Sequence, residues 1–177
     1  MRWEALFADL ESQYEAAARL ADDDAVAELA EAEMASVRLA DRLLARTGDL
    51  LRLRLRSGAD LSGRLVDAAP QWLLMASGER RTLVPLEAIV LAWPLGAAAP
   101  RTGRVEQRLR VTHALRALAH EGARVRVACA GGAYAGWLAR VGADHVDLRT
   151  DGPEPAHPET GAVITISLAA IETVSTA

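Results

Sequence analysis

The 177-residue sequence predicts an α+β protein: two small, five-stranded antiparallel β-barrels, each preceded by helix, behind a long N-terminal helix or helix pair. Three observations carry that expectation. Between Leu50 and Trp93, five short apolar runs alternate with turn residues, and so many short strands favour a sheet that closes on itself. The same pattern returns between Val125 and Val174. Ahead of each copy lies a stretch whose apolar residues recur every three or four positions, as on one face of a helix.

At the N-terminus, Trp3, Phe7, Leu10, Tyr14, Ala17 and Ala21 are spaced alternately by four and three, a coiled-coil stripe with Glu4, Asp9, Glu11 and Glu15 off it. Asp22 to Asp24 either break or re-cap this helix, and Val26 to Leu44 continue it until Thr47-Gly48-Asp49. The Trp3-Phe7-Leu10-Tyr14 stripe is too aromatic to be left in water. It either covers the barrels or pairs with a second copy or a protein partner.

Leu51, Leu53 and Leu55 alternate with Arg52, Arg54 and Arg56, giving a strand with one apolar and one charged face. Ser57-Gly58-Ala59-Asp60 is turn chemistry, with Gly58 free to take positive φ. Leu61, Gly63 and Leu65 line one side of the return strand, where Gly63 marks a bend or a close backbone approach. Trp72 to Met75 is apolar on both faces, as a central strand is. Leu83-Val84 and Ile89 to Trp93 complete the set. Residues 94–103 then read as a linker and Arg104 to His120 as a basic helix.

In the second copy, Val125, Val127 and Cys129 match Leu51, Leu53 and Leu55 at an offset of 74. Tyr134, Gly136 and Leu138 match Leu61, Gly63 and Leu65 at 73, and Ile166, Leu168, Ala170 and Ile171 match Val84, Leu86, Ala88 and Ile89 at 82. The extra residues fall in a Pro-rich polar loop, residues 149–160. The expected organisation is an N-terminal helical arm (1–47), a first barrel (48–94), a linker with the basic helix (95–122) and a second barrel (123–177). Edge pairing between barrels is not expected. Pro85 removes a donor beside the strand that would pair, and the helices are long enough to cover the edges.

The run Gly58…Leu61-Ser62-Gly63-Arg64-Leu65, then Trp72 to Met75, then Val84-Pro85-Leu86-Glu87-Ala88-Ile89, resembles the Sm-like (LSm/Hfq-like) small β-barrel family over about half of the chain. The resemblance implies a fold. Its members bind RNA through an Asp-Gln or Asp-x-x-x-Asn loop and a Tyr-Lys-His run. This chain has Ala69-Pro70 and Pro85-Leu86-Glu87 at those places, so RNA binding does not follow from the fold.

Composition narrows the function classes. A hydrophobic fraction of 51% and a charged fraction of 25% are those of a globular chain. All 20 basic residues are arginine, as expected of a high-GC bacterial genome. Residues 1–47 hold 11 acidic and 5 basic side chains, a net of −6, and the remainder holds 13 and 15, a net of +2. That balance is unlike a strongly basic nucleic-acid binder. A lone Cys129 excludes an intrachain disulfide, no basic stretch precedes an apolar run, and no window reads as a membrane span; a cytoplasmic location is expected.

No serine elbow, phosphate loop or paired-carboxylate motif is present, and His113, His120, His145 and His157 lack carboxylates at ligand spacing or lie in solvated loops. No enzyme activity, cofactor, metal or small-molecule substrate is therefore expected. The expected function is a non-catalytic binding or assembly protein. The alternative is an RNA-binding regulator whose basic surface comprises Arg52, Arg54 and Arg56, which could follow a phosphate backbone at strand spacing, with Arg104 and Arg108 of the helix.

Overall fold

A computed structural model of the chain describes residues 31–32, 34–96, 110–151 and 161–176. The chain divides into two units, Met1–Arg38 and Leu39–Ala177. Of the first, residues 31–32 and 34–36 are helical. The Trp3, Phe7, Leu10 and Tyr14 stripe lies outside the described residues, as do Arg104 and Arg108. The continuous helix expected from Val26 to Leu44 is interrupted at Val37–Arg38.

The second unit opens with helix α1 (Leu39–Leu44) and five strands: β1 (Leu50–Leu55), β2 (Asp60–Ala69), β3 (Trp72–Ser77), β4 (Arg80–Pro85) and β5 (Ile89–Trp93). Helix α2 (Val111–His120) leads into β6 (Arg124–Cys129), β7 (Gly132–Val141), β8 (His145–Thr150), β9 (Val163–Ser167) and β10 (Ile171–Thr176). A single 3-10 turn, Leu86–Ala88 or Leu168–Ala170, precedes the last strand of each group. No helix among the described residues is long and apolar enough to cross a membrane.

The sheet corrects the expected fold class. Two closed five-stranded barrels behind a long N-terminal helix are not what the chain forms. All ten strands join one open antiparallel sheet in the order β5-β1-β2-β3-β4-β10-β6-β7-β8-β9. Neither group of five brings its last strand back to its fourth: β5 pairs with β1, and β10 pairs with β6. The outer edge of β4 is thereby left open, and unpaired backbone groups at a buried edge are costly. It is taken by β10, with Leu83 opposite Val174, Thr82 opposite Ser175 and Arg81 opposite Thr176. Pro85, expected to prevent such pairing, lies beyond those three positions and removes no donor from them.

Alternation on β1 buries Leu51, Leu53 and Leu55 and exposes the arginines between them. With Leu43 of α1, Leu65, Leu73, Met75 and Val84 they form the first core. The second core collects Val125, Val127, Leu138, Val146, Leu148 and Ile166 beneath α2, whose Leu115 is fully buried. It also takes Trp72 and Leu83 from the first group of strands. β3 and β4 thus bury both faces: Leu73, Met75 and Val84 point into the first core, Trp72 and Leu83 into the second. The open sheet is one packed body for this reason. Burying each such side chain contributes about 1.5–3 kcal/mol.

Two glycines permit the tight strand pairs. A Cβ on Gly63 would lie 2.6 Å from the Ala76 carbonyl oxygen of β3, and one on Gly136 would collide with the Arg149 carbonyl oxygen of β8. Both strands shift register just beyond, between Leu65 and Asp67 and between Leu138 and Arg140. These are β-bulges, which bend a strand and increase its twist. Gly58 has φ +83° in the β1–β2 turn, where Leu55 and Ala59 close the hairpin (Leu55 N to Ala59 O, 2.9 Å).

Candidate docking edge

Only β5 and β9 have a single strand neighbour among the described residues; each of the other eight has two. β5 is the more apolar edge. Its sequence is Ile-Val-Leu-Ala-Trp, and Val90 and Leu91 are 57% and 51% exposed. Leu50, at the start of neighbouring β1, is also largely exposed. A groove at the Trp93 end of β5 is lined by Leu50, Gly63, Trp93 and Pro94. A free backbone edge flanked by uncovered Val and Leu side chains can accept a further strand: main-chain hydrogen bonds give affinity and the side chains give selectivity. The bulge that shifts the β1–β5 register between Arg54 and Leu55 breaks the in–out alternation here. Period-two reading of Ile89 to Trp93 therefore misses which side chains are left outside.

Arg52 and Arg54 lie on the exposed face of β1 and Arg56 in the turn just beyond it, and the three are differently engaged. Arg54 donates from Nε and Nη2 to both carboxylate oxygens of Asp60, at 2.8 and 3.0 Å, across the β1–β2 hairpin. This hydrogen-bonded pair holds the Asp60 carboxyl below the usual carboxylate range and raises the Arg54 guanidinium. Arg56 donates from Nη2 to the Ala169 carbonyl at 2.6 Å, in the 3-10 turn before β10. Arg52, opposite Ser62, adds only a charge interaction with Asp60. Since the Asp60 pKa is depressed in the fold, its contribution to stability is present above the unfolded carboxylate pKa, near 3.9. That contribution is lost as pH falls through the folded value. In a carboxyl NMR titration Asp60 is expected to protonate below an ordinary aspartate, and Arg54→Ala is expected to restore the ordinary value. An unshifted Asp60 in the parent protein would exclude the pair.

A residue that sequence reasoning missed is Glu172. It is 3% exposed and accepts hydrogen bonds from Ser57 N, at 2.7 Å, and from Ser57 Oγ. Together with Arg56 it ties the β1–β2 turn to β10. In sequence it looks like a solvated acid in Ile-Glu-Thr-Val, but a register shift between Ile171 and Thr173 places Ile171, Glu172 and Val174 all inside. Beneath this junction lies a cavity of about 710 Å³ lined by Leu83, Leu86, Leu115 and Ile171, with Glu87 and Arg110 among its charged residues.

Cys129 ends β6 half-exposed, its Sγ 3.4 Å from the Gly132 carbonyl oxygen. Trp72 is buried, while Trp137 is exposed on β7. His145 is hydrogen-bonded to Asp144 at 2.8 Å, which lowers the Asp144 pKa, and His157 lies outside the described residues. Among the described residues, no three His, Cys, Asp or Glu side chains gather as a metal site would require. The chain matches no protein-family model and no curated protein.

Proposed function

We propose that the protein is a non-catalytic assembly or binding protein that works by accepting a partner's strand at a sheet edge. One observation carries this reading: among the described residues, β5 has a strand neighbour on one edge only, beside exposed Val90 and Leu91. Long uncovered apolar edges are normally blunted by charge, proline or a covering element. Here the five residues of β5 include no charged side chain. The two groups of five strands share one internal order and the same 3-10 turn before the last strand, which supports reading them as two copies of one unit. The arginine row weighs against RNA as the ligand, because Arg54 and Arg56 already serve Asp60 and the Ala169 carbonyl.

Titration of the full chain with oligo-U, oligo-A and duplex DNA at two salt concentrations tests the reading. The expected outcome is no binding whose strength falls with salt, the mark of phosphate contacts. Micromolar, salt-dependent RNA binding that weakens in Arg52→Ala/Arg54→Ala/Arg56→Ala would overturn it and make the protein an RNA-binding regulator.

A further inference from the structure

We infer that the cavity lined by Leu83, Leu115 and Ile171 binds a small apolar monocarboxylate, held by the start of α2. This goes beyond the docking-edge reading and does not depend on it, since no residue of β5 lines the cavity. At about 710 Å³ it lies within the range of pockets that take small organic molecules, and both groups of strands contribute to it. Its floor is one end of the second core: Leu83 of β4, Ile171 and Val174 of β10, and Leu115 of α2, each no more than 4% exposed. These four side chains offer apolar contact and no hydrogen bonds. An occupant therefore needs an apolar body.

The polar groups that orient it come from the first turn of α2. Gln71 accepts from Val111 N–H through its side chain at 3.4 Å and from Leu86 N–H through its carbonyl at 2.9 Å, which ties that turn to the segment after β4. Thr112 lines the cavity and is 9% exposed, yet its hydroxyl has no hydrogen-bond partner among the described residues. A buried hydroxyl without a partner is destabilising, and an acceptor on a ligand removes that cost. Arg110 also lines the cavity, and its guanidinium forms no ion pair among the described residues. A helix N-terminus attracts negative charge, so Arg110, Thr112 and the helix end all suit one anionic acceptor. Glu87 and Asp144 stand exposed at the mouth, and Asp144 is already hydrogen-bonded to His145. Two carboxylates there disfavour a phosphate chain, which would lay several charges along the mouth. A monocarboxylate brings one charge, and Arg110 and α2 meet it.

Calorimetric titration of the full chain with decanoate, decanol and decylamine tests this, because the three share a chain length and differ only in the head group. Decanoate is expected to bind one to one, with decanol and decylamine at least about tenfold weaker, the difference a hydrogen bond to a charged group makes. Arg110→Gln is expected to weaken decanoate by about tenfold and leave decanol unchanged, and Thr112→Val to weaken decanoate by about three- to tenfold. Leu168→Trp places an indole at a half-buried wall position and is expected to abolish binding of all three. Thermal melts establish which variants fold; Arg110 is exposed, so Arg110→Gln tests the site even where Leu168→Trp does not fold. Absence of decanoate binding overturns the proposal. Equal affinity for decanoate and decanol, tighter binding of decylamine, or binding that persists in folded Leu168→Trp does the same. Val90→Lys/Leu91→Lys alters β5 alone and is expected to bind decanoate as the parent does. Loss of binding there would place the ligand at the docking edge and overturn the cavity assignment. The nucleic-acid titration bears on the docking edge alone, so the two readings fail separately.

Discussion

Gly136→Val is expected to be the most damaging single substitution in the sheet, lowering stability by about 3–5 kcal/mol, above the roughly 1–3 kcal/mol usual for overpacking because the backbone itself must move. The side chain would start inside the Arg149 carbonyl oxygen and 2.8 Å from its carbon, with Thr150 Cα at 3.0 Å. None of these is the end of a flexible side chain that could swing away. Strands β7 and β8 would have to separate at the bend on which the second core closes. Gly63→Val meets the Ala76 carbonyl oxygen at 2.6 Å and is expected to cost somewhat less. At roughly 3 °C per kcal/mol for a unit of this size, Gly136→Val is expected to lower Tm by about 10 °C. Melting within a couple of degrees of the parent would show that the β7–β8 approach is looser than described.

Leu83→Asp is expected to have the second-largest effect, about 4 kcal/mol, and it tests the open sheet directly. Leu83 is 4% exposed and stands opposite Val174, yet it belongs to the second core with Leu115 and Ile171. A carboxylate there would be desolvated among Leu115, Ile171 and Val174. Were the two groups of strands independent closed barrels, position 83 would lie on an outer face and accept aspartate with little change. Urea unfolding measures the difference. The parent is expected to unfold in one transition, because Trp72 and Leu83 couple the cores, and the variant is expected to unfold earlier. An unchanged midpoint would sink the shared-core account.

Much of the local structure was legible in the residues. Leu51, Leu53 and Leu55 against Arg52, Arg54 and Arg56 specify a half-buried strand by period alone, and β1 buries that face. Trp72 to Met75 reads as a central strand because both faces are apolar, and β3 lies between β2 and β4. Thr112, Leu115 and Leu118/Ala119 mark the helix that covers the second core, but not its start: Arg110, inside the helix expected from Arg104 to His120, is extended, and the described helix begins at Val111. Alternation and helical period are one-chain signals: each residue's side is decided by its near neighbours.

What only the tertiary structure decided is which edges meet. A strand's sequence records which face is apolar but leaves its backbone donors and acceptors the same along both edges, so closure of five strands and continuation into ten look alike. The choice is made by β5 and β10 lying against β1 and β6, which leaves β4 for β10. Bulges then reset the alternation at the places where the docking edge and the buried Glu172 arise. Those residues escape a period-two reading because an inserted residue turns the following side chains to the opposite face.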